Sequence, residues 1–285
     1  MIPCRIYIAA SLVMGAAFGA NSPARAAVTD WIGDAHAAVR LITGSDRLAD
    51  SSSIEAGLEF RFASGWHGYW RTPGDTGVAP VIDWSGSQNI ERETISWPAP
   101  TRLVIEGAQN GTYGDQVILP IALLLRKPGA FTRIRVKVSY AACSNICVPY
   151  RAELVLPLLA GQGGPSAEAP AIAAARAKVP GPPAAIGIKI VSLGIVRAGS
   201  DQHLVVELQS ATEPFIRPDL FVEGAESGIP ASPRVELLDG GHIARLTVRL
   251  SNSLPRDVSL KLTLTDGRRA AEFTATSNDL TKPGG

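Results

Sequence analysis

Cys143 and Cys147 stand four positions apart and are the residues whose type and spacing could carry chemistry in this sequence. A thiolate that attacks a disulfide sulfur forms a mixed disulfide, so two neighbouring cysteines can pass an electron pair between partners with no prosthetic group. The same pair could be an inert crosslink, or a Cu(I) site, since soft thiolates suit that ion. Magnitude weighs against the crosslink: closing so short a loop removes only roughly 2 kcal/mol of chain entropy, against about 4.7 kcal/mol for a hundred-residue loop.

The flanking residues have to bring the two sulfurs together. From Phe131 to Tyr140 the chain alternates, with Ile134, Val136, Val138 and Tyr140 on one face and Arg133, Arg135, Lys137 and Ser139 on the other. On the return, Val148, Tyr150, Ala152, Leu154 and Leu156 form the apolar set, and Cys147, Arg151 and Glu153 alternate with them. Both cysteines fall on the polar parity and are expected to face outward. A three-residue loop, Ser144-Asn145-Ile146, with Asn145 left-handed, sets Cys143 opposite Cys147, Tyr140 opposite Tyr150 and Lys137 opposite Glu153. Opposed residues have Cα separations of about 4.5 to 5.5 Å, inside the window of a disulfide. Pro149 lacks a ladder donor and is expected at an edge, a bulge or a non-hydrogen-bonded site. Arg135, Lys137 and Arg151 are expected to favour the thiolates.

The rest of the chain reads as all-β. Short strand-like runs from Ala38 to Leu159, separated by Gly, Pro, Asn and Asp, predict an antiparallel sandwich. A Pro/Ala/Gly-rich stretch, 161–183, reads as a linker with a short helix at Ala171 to Lys178. Seven more strand-like runs follow between Ile186 and Thr276, the count of an immunoglobulin-like sandwich. The expected organisation is therefore a leader over 1–26, one sandwich over 27–160 and a second over 184–285. The leader rests on Arg5, the apolar run from Ile6 to Ala20 and the Ala24-Arg25-Ala26 cleavage pattern, which predict export to the periplasm and loss of Cys4. No later run is long enough to insert in a membrane. A net charge of +1 offers no electrostatic footprint for nucleic acid. No G-x-S-x-G elbow or phosphate loop is present, and Asp75, Asp83 and Asp115 sit in turn-like sequence as capping residues.

Tyr140-Ala-Ala-Cys-Ser-Asn-Ile-Cys-Val-Pro149, with Trp66-His-Gly-Tyr-Trp-Arg-Thr-Pro-Gly-Asp-Thr-Gly77, Asp83-Trp-Ser-Gly-Ser87 and Trp97-Pro-Ala-Pro100, resembles the N-terminal periplasmic domain of the DsbD family, and within it the ScsB (suppressor of copper sensitivity) branch. The resemblance implies an immunoglobulin-like domain whose cysteine pair relays electrons between thioredoxin-like proteins, without a cofactor. It makes Cys147 the partner-bonding sulfur and Cys143 the resolving one. It also implies a cap over the pair, for which the turn Thr72 to Pro80 with Tyr69, Trp70 and Asp75 is the candidate, supported by Tyr140, Pro149 and Tyr150. The C-x3-C spacing is shorter than in the best-known members. With Gly285 the last residue, neither a membrane domain nor a thioredoxin domain follows, so a separate membrane electron donor of the DsbD/ScsB type is expected. Two alternatives stay open: a Cu(I) site of Cys143, Cys147 and His67, the best placed of the four histidines, and an interaction module whose disulfide is structural.

Overall fold

The computed structural model describes residues 27–280 apart from 200, 225–228, 251–253, 255–257 and 277–278. The expected leader, its cleavage site and Cys4 lie outside the described residues. Among the described residues eleven strands precede the α-helix: β1 (Ile32–Gly33), β2 (Ala37–Thr43), β3 (Ser53–Phe62), β4 (His67–Gly74), β5 (Val81–Asp83), β6 (Ile90–Ile95), β7 (Thr101–Ile105), β8 (Ala108–Gly114), β9 (Gln116–Leu125), β10 (Thr132–Cys143) and β11 (Cys147–Leu158). After α1 (Ala169–Arg176) come β12 (Ile188–Ala198), β13 (Asp201–Ser210), β14 (Asp219–Glu223), β15 (Arg234–Leu238), β16 (Ile243–Leu250), β17 (Ser259–Asp266) and β18 (Arg269–Thr276). No helix among the described residues is long and apolar enough to cross a membrane.

The first sandwich packs a five-stranded sheet, β1-β2-β3-β9-β6, on a sheet ordered β11-β10-β4-β8-β7, with β5 added beside β10. Alternation decides which side chains meet. Leu41, Leu58, Leu119, Ile121 and Leu123 from one sheet and Ile134, Val136, Val138, Leu154 and Leu156 from the other fill one core, each contributing about 1.5–3 kcal/mol by burial. The second sandwich pairs β12-β13-β16-β15 with β14-β17-β18 around its own core, including Leu204, Val206, Leu246, Leu260 and Leu262. All seven of its strands lie where the sequence places them. In the first sandwich β4 and β8 carry no alternation that announces them, because His67–Gly74 and Ala108–Gly114 mix Gly and polar residues.

The 161–183 segment does not hang free. Ser166 N donates to Gly44 O at 3.0 Å and Gly164 N to Asp46 Oδ1 at 3.1 Å, while α1 buries Ile172 and Ala175 and packs along β9 and β3. Its apolar face covers the first sandwich.

A candidate redox site at the tip of a hairpin

The β10–β11 register runs unbroken from Thr132↔Leu158 to Cys143↔Cys147, with Tyr140 opposite Tyr150 and Lys137 opposite Glu153. Matching apolar faces fix it, since a one-residue slip would turn every core side chain outward. The sulfurs are joined in a disulfide across a Cα separation of 4.1 Å. The loop closes by Ser144 N donating to Ile146 O at 2.9 Å. Asn145 is not left-handed; the turn is made with ordinary backbone, which corrects the expectation for that residue. β11 is an edge strand, so Pro149, opposite Ala141, costs the sheet no ladder partner on its outer side.

The two cysteines differ in exposure. Cys147 and the loop residue Ile146, 65% exposed, face solvent. Cys143 is only 2% exposed, packed with Tyr69 and Ala141 in a small cluster separate from the main core. The expectation that both cysteines open to solvent therefore holds for Cys147 alone. Parity put Cys143 on the correct face but could not reveal what lies over it. The cover is β4, whose His67 is the register partner of Cys143 and whose Tyr69 hydroxyl lies 4.0 Å from Cys147 Sγ.

The turn after β4 supports Tyr69. Gly74 has φ +97°, and a Cβ there would stand 2.0 Å from Gln109 O, so only glycine allows this approach to β8. Asp75 N donates to Gln109 O at 2.9 Å and Gln109 N donates back to Asp75 Oδ2 at 2.7 Å. Thr76 Oγ1 donates to Asn110 Oδ1 at 3.1 Å. A Cβ on Gly77 would stand 2.4 Å from Tyr69 Cδ1, so the bare Gly77 backbone lies against the tyrosine ring. Val78 and Pro80 then line a shallow hollow with Tyr69 and Ala141. The turn Thr72 to Pro80 read from the sequence contains Gly77, but its contact with the Tyr69 ring is a matter of tertiary packing.

Trp70, Tyr140 and Tyr150 take other places. Trp70 is 1% exposed and points away from Tyr69 into the core, as alternation demands of adjacent strand residues; it is no cover for the sulfurs. Tyr140 is a core residue, edge-on to Phe60 at 5.2 Å and stacked on Tyr150 at 5.2 Å. Burial raises its phenol pKa, and its hydroxyl has no hydrogen-bond partner. Tyr150 donates to Asp34 Oδ1 at 2.8 Å, and burial, with that carboxylate, pushes its phenol up to about 12. Asp75 ties the turn to β8 without touching the disulfide.

The site's electrostatics also depart from expectation. Arg135 is bound to Glu153 at 2.7 Å and lies eight residues from Cys143, roughly 26 Å along the strand at about 3.3 Å per residue. Lys137 is the register partner of Asp83. Arg151, exposed and opposite Ser139, is four residues from Cys147, roughly 13 Å along the strand at about 3.3 Å per residue, so none of the three adjoins the tip. His67 supplies no charge either: burial lowers its pKa, and its Nε2 is buried without a hydrogen-bond partner. The disulfide thus lies in a mainly apolar setting. His67 does adjoin Cys143, yet among the described residues no group of three His, Cys, Asp or Glu side chains is arranged to hold a metal.

Fold and site together define a tandem immunoglobulin-like protein with a cysteine pair at a hairpin tip. Residues 38–159 match the family model described as thiol:disulfide interchange protein DsbD, N-terminal, and residues 178–280 match a domain of unknown function (DUF8393). The first sandwich is similar to the DsbD N-terminal family over nearly its whole length. Among solved structures, the N-terminal periplasmic domain of ScsB from Proteus mirabilis superposes with a TM-score of 0.69 over 88% of this chain and 98% of its own, at 22% identity. The two share a fold. The reduced N-terminal domain of DsbD from Neisseria meningitidis gives a TM-score of 0.26 at 14% identity, over 43% of this chain and 88% of its own. No curated protein matches the sequence.

Proposed function

We propose that this chain is a periplasmic thiol–disulfide exchange protein, in which Cys147 is the sulfur that partners attack or bond and Cys143 is the resolving sulfur. The observation that carries this reading is the asymmetry of the pair, with one sulfur at an exposed sheet edge and the other under Tyr69. A donor thiolate can reach Cys147 Sγ only. Its attack forms a donor–Cys147 disulfide and expels Cys143 as a thiolate, which takes a proton. The donor's second thiolate then attacks the donor sulfur of that mixed disulfide and frees Cys147. The pair has gained two electrons and two protons, and the donor is oxidised. Run in reverse against an acceptor disulfide, the same steps return the pair to its closed form. Exposed Ile146, beside Cys147, and Val78 on the covering turn offer apolar contact for a thioredoxin-like partner. Export to the periplasm follows the leader pattern and the compartment of the ScsB domain whose fold it shares.

The test is to mix the oxidised full chain with a reduced thioredoxin-like dithiol protein and count free thiols by labelling. Stoichiometric appearance of two thiols is expected. A disulfide that persists with every such donor, while a small dithiol opens it, would leave only the structural reading.

A further inference from the structure

We infer that the second sandwich acts as a brace on the strand that covers the disulfide, with Arg71 as its positioning residue, so that contacts on β14 and β18 set how readily Tyr69 uncovers Cys143. The observations begin with a break in a ladder. β4 pairs with β8 at His67↔Gly114, Gly68↔Tyr113 and Tyr69↔Thr112, then loses register and rejoins only at Gly74↔Asn110. The covering residue is therefore the last of the regular pairs, and the residues just after it leave β8. A bulge of this kind re-aims the chain and leaves its backbone less restrained.

That bulge is held from the other sandwich. Arg71 Nε and Nη2 donate to Glu223 Oε1 and Oε2 at 3.0 and 2.6 Å, a two-toothed carboxylate grip, and Nη2 donates also to Glu272. Thr72 Oγ1 donates to Glu223. Between Arg71 and the cover, Trp70 is fixed by Phe221, edge-on at 5.6 Å, with the Arg71 guanidinium 4.3 Å above its ring. Ile229 closes the pocket, since a Cβ on Gly111 would meet Ile229 Cδ1 at 3.0 Å and Trp70 Cε3 at 3.2 Å. One strand further, Arg102, its side chain 6% exposed, donates to Asp219 at 2.8 Å and to the carbonyls of Leu220 and Pro230 at 2.9 Å each. The grip is specific to guanidinium geometry, and breaking one partner of a buried pair strands the other. Because Tyr69 is joined to this bulge through one residue, loosening the bulge loosens the cover.

The inference deepens the exchange reading, yet its test needs no protein partner. Oxidised full chain is treated with a small dithiol, quenched at intervals and labelled, for wild type, Glu223→Gln with Glu272→Gln, Tyr69→Ala, and all three together. Removing the carboxylates should speed opening of the disulfide by roughly fivefold or more, the factor that corresponds to about 1 kcal/mol of closed-state preference. Tyr69→Ala should speed it further, and adding the carboxylate changes to Tyr69→Ala should change nothing more. A merely structural loss would instead multiply with Tyr69→Ala. Arg71→Lys, which keeps the charge and loses the fork, serves as the variant that folds most safely, and an intermediate rate is expected from it. Wild-type rates in both the carboxylate and Arg71→Lys variants, or full multiplication in the combined one, overturn the brace. If protein donors fail on every variant while this pattern stands, the exchange reading fails and the brace survives.

Discussion

The two sandwiches are built alike but are not equally self-sufficient. The core of the second is filled by residues of its own strands and flanks, from Ile186 to Leu280. The core of the first runs on into Phe221 and Ile229 of the second. The half of the molecule bearing Cys143 and Cys147 is thus completed by the half whose sequence has no cysteine. A single immunoglobulin-like sandwich can hold a hairpin disulfide; what it leaves open here is the underside of β4, at Trp70.

Phe221→Ala should give the largest effect, about 3–5 kcal/mol, the usual cost of deleting a buried aromatic. All five tryptophans, residues 31, 66, 70, 84 and 97, lie in the first sandwich, so tryptophan fluorescence during denaturant unfolding follows that half together with the Trp70–Phe221 contact. A midpoint lowered for this probe by a change made in the second sandwich is expected, and an unchanged midpoint would mean that the first sandwich stands alone. Gly77→Ala should cost about 1–3 kcal/mol by overpacking against Tyr69. It should also quicken opening of the disulfide by a small dithiol, an effect absent from Gly164→Ala, where an added Cβ meets nothing and the backbone is not left-handed.

The smallest expected effect concerns pH. Burial holds the His67 pKa below its ordinary 6.5, so on acidification the unfolded chain takes up this proton before the folded one. Stability from neutral His67 is complete above about pH 6.5 and declines as pH falls below it toward the folded value. His67→Gln should flatten that decline in unfolding free energy measured between pH 7 and pH 5, without changing the fluorescence of the native state. A decline of equal slope in the variant would assign it to other groups.

Much of this was legible in the residues. Alternation from Phe131 to Tyr140 and from Val148 to Leu156 fixed the hairpin and its cross-strand pairs, because one face had to be buried. It also predicted the seven strands of the second sandwich. Adjacent strand residues face opposite ways, so Tyr69 and Trp70 could not both cover the sulfurs, although which one did depended on tertiary packing. Lys137 and Glu153 are opposed as read, yet the ion pair forms diagonally from Arg135, since long side chains choose partners by reach. Arg71 and Glu223 are 152 residues apart, and no local pattern joins them. The burial of Cys143 was hidden for the same reason, because β4 came without the alternation that announces a strand.

The most direct test of the account is to trap partners in cells or with a purified thioredoxin-like protein, using Cys143→Ala and Cys147→Ala side by side. The account predicts a mixed disulfide that accumulates through Cys147 in Cys143→Ala and little or none in Cys147→Ala, because only the edge sulfur can be reached. Trapping through Cys143 alone, or through neither, would contradict it.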